Sequence, residues 1–263
     1  MKKRILAVFL ALGMLTCLLS ACGGATNQTS KSSDETSASS GQNSVDSEQN
    51  HANEITVGIA QDLDDSLDPY QMTAAGTREV MFNVFEGLVK PDSDGNFVDA
   101  VASEHSVSDD QLTYTFTLRD GVVFHNGAEC TVDDVLYSFE TCAATTVNSA
   151  VAEALSAIVD TKTEGNQISF TLPAPNSDFI SYVSNVYIVP KDYAEQATQP
   201  VGTGPFKYVS RSVQENVVLE KNADYYGEQA KLDKVTYKIF EDNTAMMTAL
   251  NAGGLDRKST RLN

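Results

Sequence analysis

Residues 114–139 read YTFTLRDGVVFHNGAECTVDDVLYSF, and three local patterns follow one another in them. Leu112, Tyr114, Phe116 and Leu118 alternate with Thr113, Thr115 and Thr117. That period of two predicts a half-buried antiparallel strand over 111–119. Asp120-Gly121 turns the chain, and Val122–Phe124 is expected as a short partner strand. Thr131 then stands three residues before Asp134, a capping box with Asp in place of Glu, so a helix starts there and runs to about Thr145. Cys130 and Cys142 would lie roughly 15–18 Å apart along that helix. A disulfide needs Cα atoms within about 7 Å, so no bridge is expected between them.

The same reading extends outward. Ile55, Val57 and Ile59 share one face of a strand over 54–60. A polar, turn-rich stretch follows, from Asp62 to Tyr70. Val80, Met81, Val84, Phe85 and Leu88 recur at helical spacing, which predicts a helix over 77–87 with Gly87 as its C-cap. Pro91 to Asn96 reads as a turn. Beyond the central block, helices are expected over 151–159, 176–183 and 243–252, the last capped by Asn243. Strands are expected over 167–172, 187–189, 206–210, 217–221 and 235–240. Mixed strands and helices without an internal repeat indicate an α/β body. Phe85 and Tyr137 read as core, and Glu241 and Asp242 as a solvated loop.

The first fifty residues are of another kind. Met1-Lys2-Lys3-Arg4 is basic, and Ile5–Leu19 is an unbroken apolar to weakly polar run. As a helix it would span about 22 Å, short of the ~30 Å hydrocarbon core of a bilayer. A basic start, a short apolar run and small residues after it make a secretory signal over 1–21. Leu19-Ser20-Ala21-Cys22 matches the bacterial lipobox, which makes Cys22 the lipidated residue and the membrane a partner through that lipid. Residues 23–53 lack aromatic side chains and are rich in Ser, Thr, Asn, Gln and Gly, so 22–53 reads as a flexible tether. Its end-to-end distance would be roughly 30 Å.

Composition removes several classes of function. The formal charge is −18, which argues against nucleic acid or an anionic membrane face as a partner. Cys17 leaves with the signal, Cys22 is the anchor, and His51, His105 and His125 are scattered, so no metal site or cofactor is expected. No G-x-S-x-G elbow and no phosphate-binding G-x-x-x-x-G-K loop occurs, which points away from an enzyme.

The central block also resembles the signature of the family 5 solute-binding proteins, the peptide- and nickel-binding components of ABC importers. The matching residues are Arg119, Asp120-Gly121, Phe124-His125-Asn126-Gly127, Thr131 and Asp134-Val135, with Glu129 and Cys130 departing from the usual Pro and apolar residue. Leu67-Asp68-Pro69, Phe85 to Val89, Gly202 to Phe206 and Leu219 to Tyr226 agree in the same order. The resemblance covers 54–256. It implies a periplasmic-binding-protein-like fold of type II, two lobes closing on a ligand. Lobe I would be built from 54–85 and 191–255, with a subdomain inserted over 86–190.

The resemblance further implies a monomer that passes oligopeptides or dipeptides to ABC importer permease subunits, with nickel chelate, haem or oligosaccharide as other solutes of the fold. A peptide-sensing lipoprotein and an extracellular hydrolase are the readings from other classes. Met72, Thr73, Ala74 and Ala75 would face the cleft and meet the ligand largely through backbone, and Gly202, Thr203 and Gly204 would approach the hinge. After Leu255 the text becomes DRKSTRLN, which looks like translated sequencing adapter. Residues 256–263 are therefore expected to be non-native and the second lobe missing, leaving a half-formed site and an exposed sheet edge or apolar surface.

Overall fold

The computed structural model describes residues 53–259. The signal, Cys22, the tether and residues 260–263 lie outside the described residues. Two sheets organise the rest. The first has five strands in the order β11-β1-β10-β9-β8. Its members are β1 (Glu54–Ile59), β8 (Phe206–Ser212), β9 (Asn216–Lys221), β10 (Lys234–Ile239) and β11 (Arg257–Lys258). β1 runs parallel to β10, from Glu54 opposite Lys234 to Ile59 opposite Ile239, and parallel to β11. The remaining pairs are antiparallel. β11, formed by the segment read as a non-native tail, is fastened at both ends: Asp256 donates its amide to Thr56 and Ser259 donates to Gly58.

Helices α1 (Ala75–Met81) and α5 (Asn243–Asn251) take opposite faces of this sheet. Gly58 makes room on one face: a Cβ there would lie 2.6 Å from Leu255 and 2.8 Å from Met246 of α5. On the other face the Tyr237 hydroxyl accepts from Asn83, just beyond α1.

The second sheet lies wholly within 102–171, in the antiparallel order β4-β5-β7-β6. Its strands are β4 (Ala102–Val107), β5 (Thr113–Leu118), β6 (Asp160–Glu164) and β7 (Gln167–Thr171). β5 buries Tyr114, Phe116 and Leu118 and turns its threonines outward, as the alternation requires. α2 (Val132–Ala144), α3 (Ser149–Ser156) and α4 (Phe179–Val183) cover the apolar face. Phe139 of α2 stacks on Phe170 at 4.3 Å, and Tyr114 meets Phe179 at 4.7 Å. The capping box is closed in both directions, with Asp134 accepting from the Thr131 amide at 2.9 Å. Cys130 and Cys142 are free and buried; burial pushes the Cys142 thiol up to about 11. A small hairpin, β2 (Val89–Pro91) and β3 (Phe97–Asp99), turns at Gly95 with φ +86°.

Several expectations are corrected. α1 begins earlier and stops at Met81, because the next carbonyls are taken from outside: Asn83 O accepts from Phe206 and Val84 O from Gly204. Gly87 is no C-cap; a Cβ there would meet the Val186 carbonyl at 2.9 Å. Val122–Phe124 makes one bridge, Val123 to Glu129, because the loop closes on itself around Gly127 at φ +84°. Residues 187–189 form no strand, since the Ile188 amide donates to Glu86 O and the Val189 amide to Ser138 Oγ. The α5 cap is Asp242, which accepts from the Ala245 amide, and not Asn243. Tyr137 is 37% exposed rather than core. β4 and β6 were not foreseen: they are edge strands whose faces are mostly or wholly exposed, so they carry no apolar period.

Candidate functional site

The candidate segments fall at opposite ends of α1. Ala74 is the N-cap of α1, so Met72–Ala75 lie at its start. Gly202–Gly204 lie against its far end: a Cβ on Gly202 would come 2.2 Å from the Val84 carbonyl, and one on Gly204 2.5 Å from that of Asn83.

At the start of α1, Met72 is buried at 1% exposure, whereas Thr73 and Ala75 are exposed. The Asp64 carboxylate holds the loop, accepting from the Thr73 and Ala74 amides at 2.8 Å each and from the Thr73 hydroxyl at 3.1 Å. Burial raises the Asp64 carboxyl, but the amides of Ala74 and Thr73 and the hydroxyls of Thr73 and Thr77 together hold it below its ordinary value. Asp64 is itself fixed from β8. Arg211 donates to the Asp64 carbonyl at 2.6 Å, to the Leu63 carbonyl at 2.8 Å and to the Asp62 carboxylate at 3.0 Å. Asp62 also accepts from the Gln214 amide at 2.7 Å, which stabilises that residue's left-handed φ of +62° in the β8–β9 turn. The loop carbonyls are engaged too, since Arg78 Nη2 donates to Met72 O at 3.1 Å and to Thr73 O at 3.2 Å. The Thr73 and Ala74 amides are thus already bound within the chain.

Next to this loop lies a hollow of about 50 Å³, whose lining includes Tyr70, Met72, Arg78, Asn148, Asn185 and Tyr187. The Tyr70 hydroxyl donates to the Tyr187 carbonyl and so sets the back wall. Past Tyr187 and Asn185 a second hollow of about 430 Å³ includes Phe82, Phe85, Lys90 and Pro205; Phe82 is 57% exposed.

At the far end of α1 the sequence motifs converge. The two ring nitrogens of His125 bracket the glycine loop: the Gly202 amide lies 3.3 Å from Nδ1, and Nε2 lies 3.0 Å from Gly204 O. Burial lowers the imidazole to about 4, despite the Gly204 carbonyl. At that value the ring is neutral near pH 7, with Nδ1 accepting and Nε2–H donating. Asn222 donates to the same carbonyl at 3.0 Å. Thr203 is 1% exposed and its hydroxyl has no partner among the described residues. Alongside, the buried Glu86 accepts from Lys90 at 2.6 Å, from the Tyr225 hydroxyl at 2.7 Å and from the Tyr226 hydroxyl. Arg119 stacks over Tyr226 at 5.2 Å. Burial, then the Glu86 charge, pushes the Tyr226 phenol far up.

Sequence reasoning did not single out Asp64, Arg78, Arg211 or Tyr187. Asp64 sits in a polar stretch with several acidic neighbours, and Arg78 is one polar position on an amphipathic helix. Only contacts across the fold distinguish them.

Comparison with known proteins agrees with this architecture. Residues 96–261 match the profile described as bacterial extracellular solute-binding proteins, family 5 Middle. The chain is 28% identical over 183 residues to the nickel-binding periplasmic protein of Escherichia coli (strain K12), covering 66% of this chain and 35% of that one. It is 29% identical over 199 residues to the glutathione-binding protein GsiB of Pectobacterium atrosepticum, covering 72% and 38%. Among solved structures it is similar to the periplasmic binding protein DppA of Helicobacter pylori in complex with the peptide STSA. That match has a TM-score of 0.69 at 28% identity and covers 79% of this chain and 47% of that one. The chain thus spans between a third and two fifths of the length of these curated relatives.

Proposed function

The chain belongs to the family 5 bacterial extracellular solute-binding proteins, and from that premise we propose that it is the lipid-anchored capture component of an ABC importer for oligopeptides or dipeptides. One observation carries the reading: a loop at the start of α1 is tied down, from Arg211 through Asp64, beside a hollow. A preorganised loop loses little freedom when a solute arrives, which favours binding. No bond is made or broken in such a cycle; the solute closes two lobes about a hinge. We read 54–85 and 191–255 as lobe I, 86–190 as its inserted subdomain, and the second lobe as lying beyond this chain. The peptide-bound DppA and the putative peptide-binding proteins of Brucella support the peptide assignment. A lipid on Cys22 and the tether after it would keep the trap beside its permease, with the protein working as a monomer.

The nickel-binding relative supports a second solute. Among the described residues no group of three His, Cys, Asp or Glu side chains is placed to hold a metal, so nickel would enter here as a chelate bringing its own ligands. Titration calorimetry on the protein extended through its second lobe, with di- to pentapeptides and with nickel in the presence of histidine, decides between the two. Heat with peptides alone is expected, and no heat with any peptide refutes the assignment. For the anchor, Cys22→Ala is expected to move the protein from the membrane fraction to the soluble one.

A further inference from the structure

Arg78 differs from most of the cations in this acidic chain, and unlike the other unpaired ones it lines a hollow beside the Met72–Ala75 loop. Lys90, Lys162, Lys191, Lys207, Arg211, Lys221 and Lys234 each lie against a carboxylate. Arg78 has no carboxylate within salt-bridge range among the described residues. It is exposed, and its Nη2 is tied to the carbonyls of Met72 and Thr73. Those two bonds hold the guanidinium at the small hollow beside the loop. Tyr187 lines the same hollow. Its hydroxyl makes no hydrogen bond to the described residues, and burial raises it while the nearby Arg78 charge opposes that rise. Asn148 and Asn185 complete the polar wall.

A space of about 50 Å³ holds one or two groups the size of water, roughly 30 Å³ each. It has room for a carboxylate. Guanidinium and phenol are both donors, and the planar fork of arginine matches a carboxylate.

We infer that Arg78, with the Tyr187 hydroxyl, is the specificity-determining pair that receives a carboxylate of the solute. The inference rests on the solute-capture reading and narrows it to anionic solutes: a peptide with a free C-terminus, or a metal chelate carrying a free carboxylate. The Asp64 loop supports the site indirectly, by fixing the carbonyls on which Arg78 leans.

Calorimetry on the protein extended through its second lobe tests this with a tetrapeptide as free acid and as C-terminal amide, and with nickel complexed to histidine or to histidinamide. The free acid is expected to bind at least about tenfold tighter than its amide, the scale of a charge-assisted contact. Arg78→Met is expected to collapse that ratio to near one, and Arg78→Lys to retain part of it. A purely structural role would weaken acid and amide alike and leave their ratio intact, and that result overturns the inference. Equal binding of acid and amide by the unaltered chain overturns it too, while leaving the capture function standing. Binding of no peptide and no nickel complex sinks the capture function itself. A preference seen only in the nickel pair assigns the carboxylate to a chelate, and one seen in the peptides to a C-terminus.

Discussion

The two ends of α1 make opposite use of polar groups. At the far end, motif residues close on one another: Glu86 is enclosed by Lys90, Tyr225 and Tyr226, and the Gly204 carbonyl by His125 and Asn222. The glycines sit so close to the Asn83 and Val84 carbonyls that no side chain fits. At the near end, an equally dense set of bonds leaves two donors, Arg78 and Tyr187, facing an unfilled hollow. Most of the residues that identify the family therefore hold the body together, while the surface proposed to meet a solute takes Arg78 and Tyr187 from outside the motifs.

Four substitutions sharpen this contrast, in falling order of expected effect. Gly202→Ala drives a methyl into a backbone carbonyl 2.2 Å away, with no flexible side chain to yield. Loss of about 3 kcal/mol or more is expected in urea unfolding, or failure to fold. Glu86→Ala removes the shared acceptor of two tyrosine hydroxyls and the Lys90 ammonium at a buried site, leaving Lys90 and Tyr225 only their mutual bond. About 2–3 kcal/mol is expected from the same measurement, and a change below about 0.5 kcal/mol would show that the junction does not depend on Glu86.

His125 comes next, through pH. Its folded value is about 4 against 6.5 in the unfolded chain, so between those values the unfolded state binds the extra proton. Stability from this group is complete above pH 6.5 and is lost as pH falls towards 4. From pH 7.5 to 4.5 the loss attributable to it is about 2.5 kcal/mol. His125→Gln is expected to reduce the difference between unfolding free energies at those two pH values by that amount; an unchanged difference refutes the assignment. Asp64→Ala at the other end is expected to lose only about 1–2 kcal/mol in the same assay. Peptide affinity should fall more than the melting temperature suggests, because the loop on whose carbonyls Arg78 leans loses its anchor. Equal losses in both would make Asp64 a residue of stability alone.

Legibility of the sequence varied with how much of each element's environment was local. The β5 alternation and the Thr131–Asp134 box were readable because strand period and cap chemistry are written within a few residues. The ends of α1, the 187–189 segment and the single bridge at Val123 were misread because their backbone partners lie far along the chain or inside an unusual loop. β4 and β6 escaped because an edge strand with solvent on its faces has no apolar face to repeat. Met72–Ala75 was singled out by resemblance. The structure places that loop beside a hollow, with its Thr73 and Ala74 amides bound to Asp64 and not free to pair with a ligand.

What the sequence alone determined is the β5 alternation, the Thr131–Asp134 capping box and the membership of a family, since each depends on short-range chemistry or on motifs in order. Which charges are neutralised and which are left facing a cavity was decided only by tertiary structure. A pair such as Arg211 and Asp62 is joined across some 150 positions, and the absence of a carboxylate at Arg78 is a property of its surroundings in space. The strength of a cation towards a solute depends on what else neutralises it, and only the fold sets that.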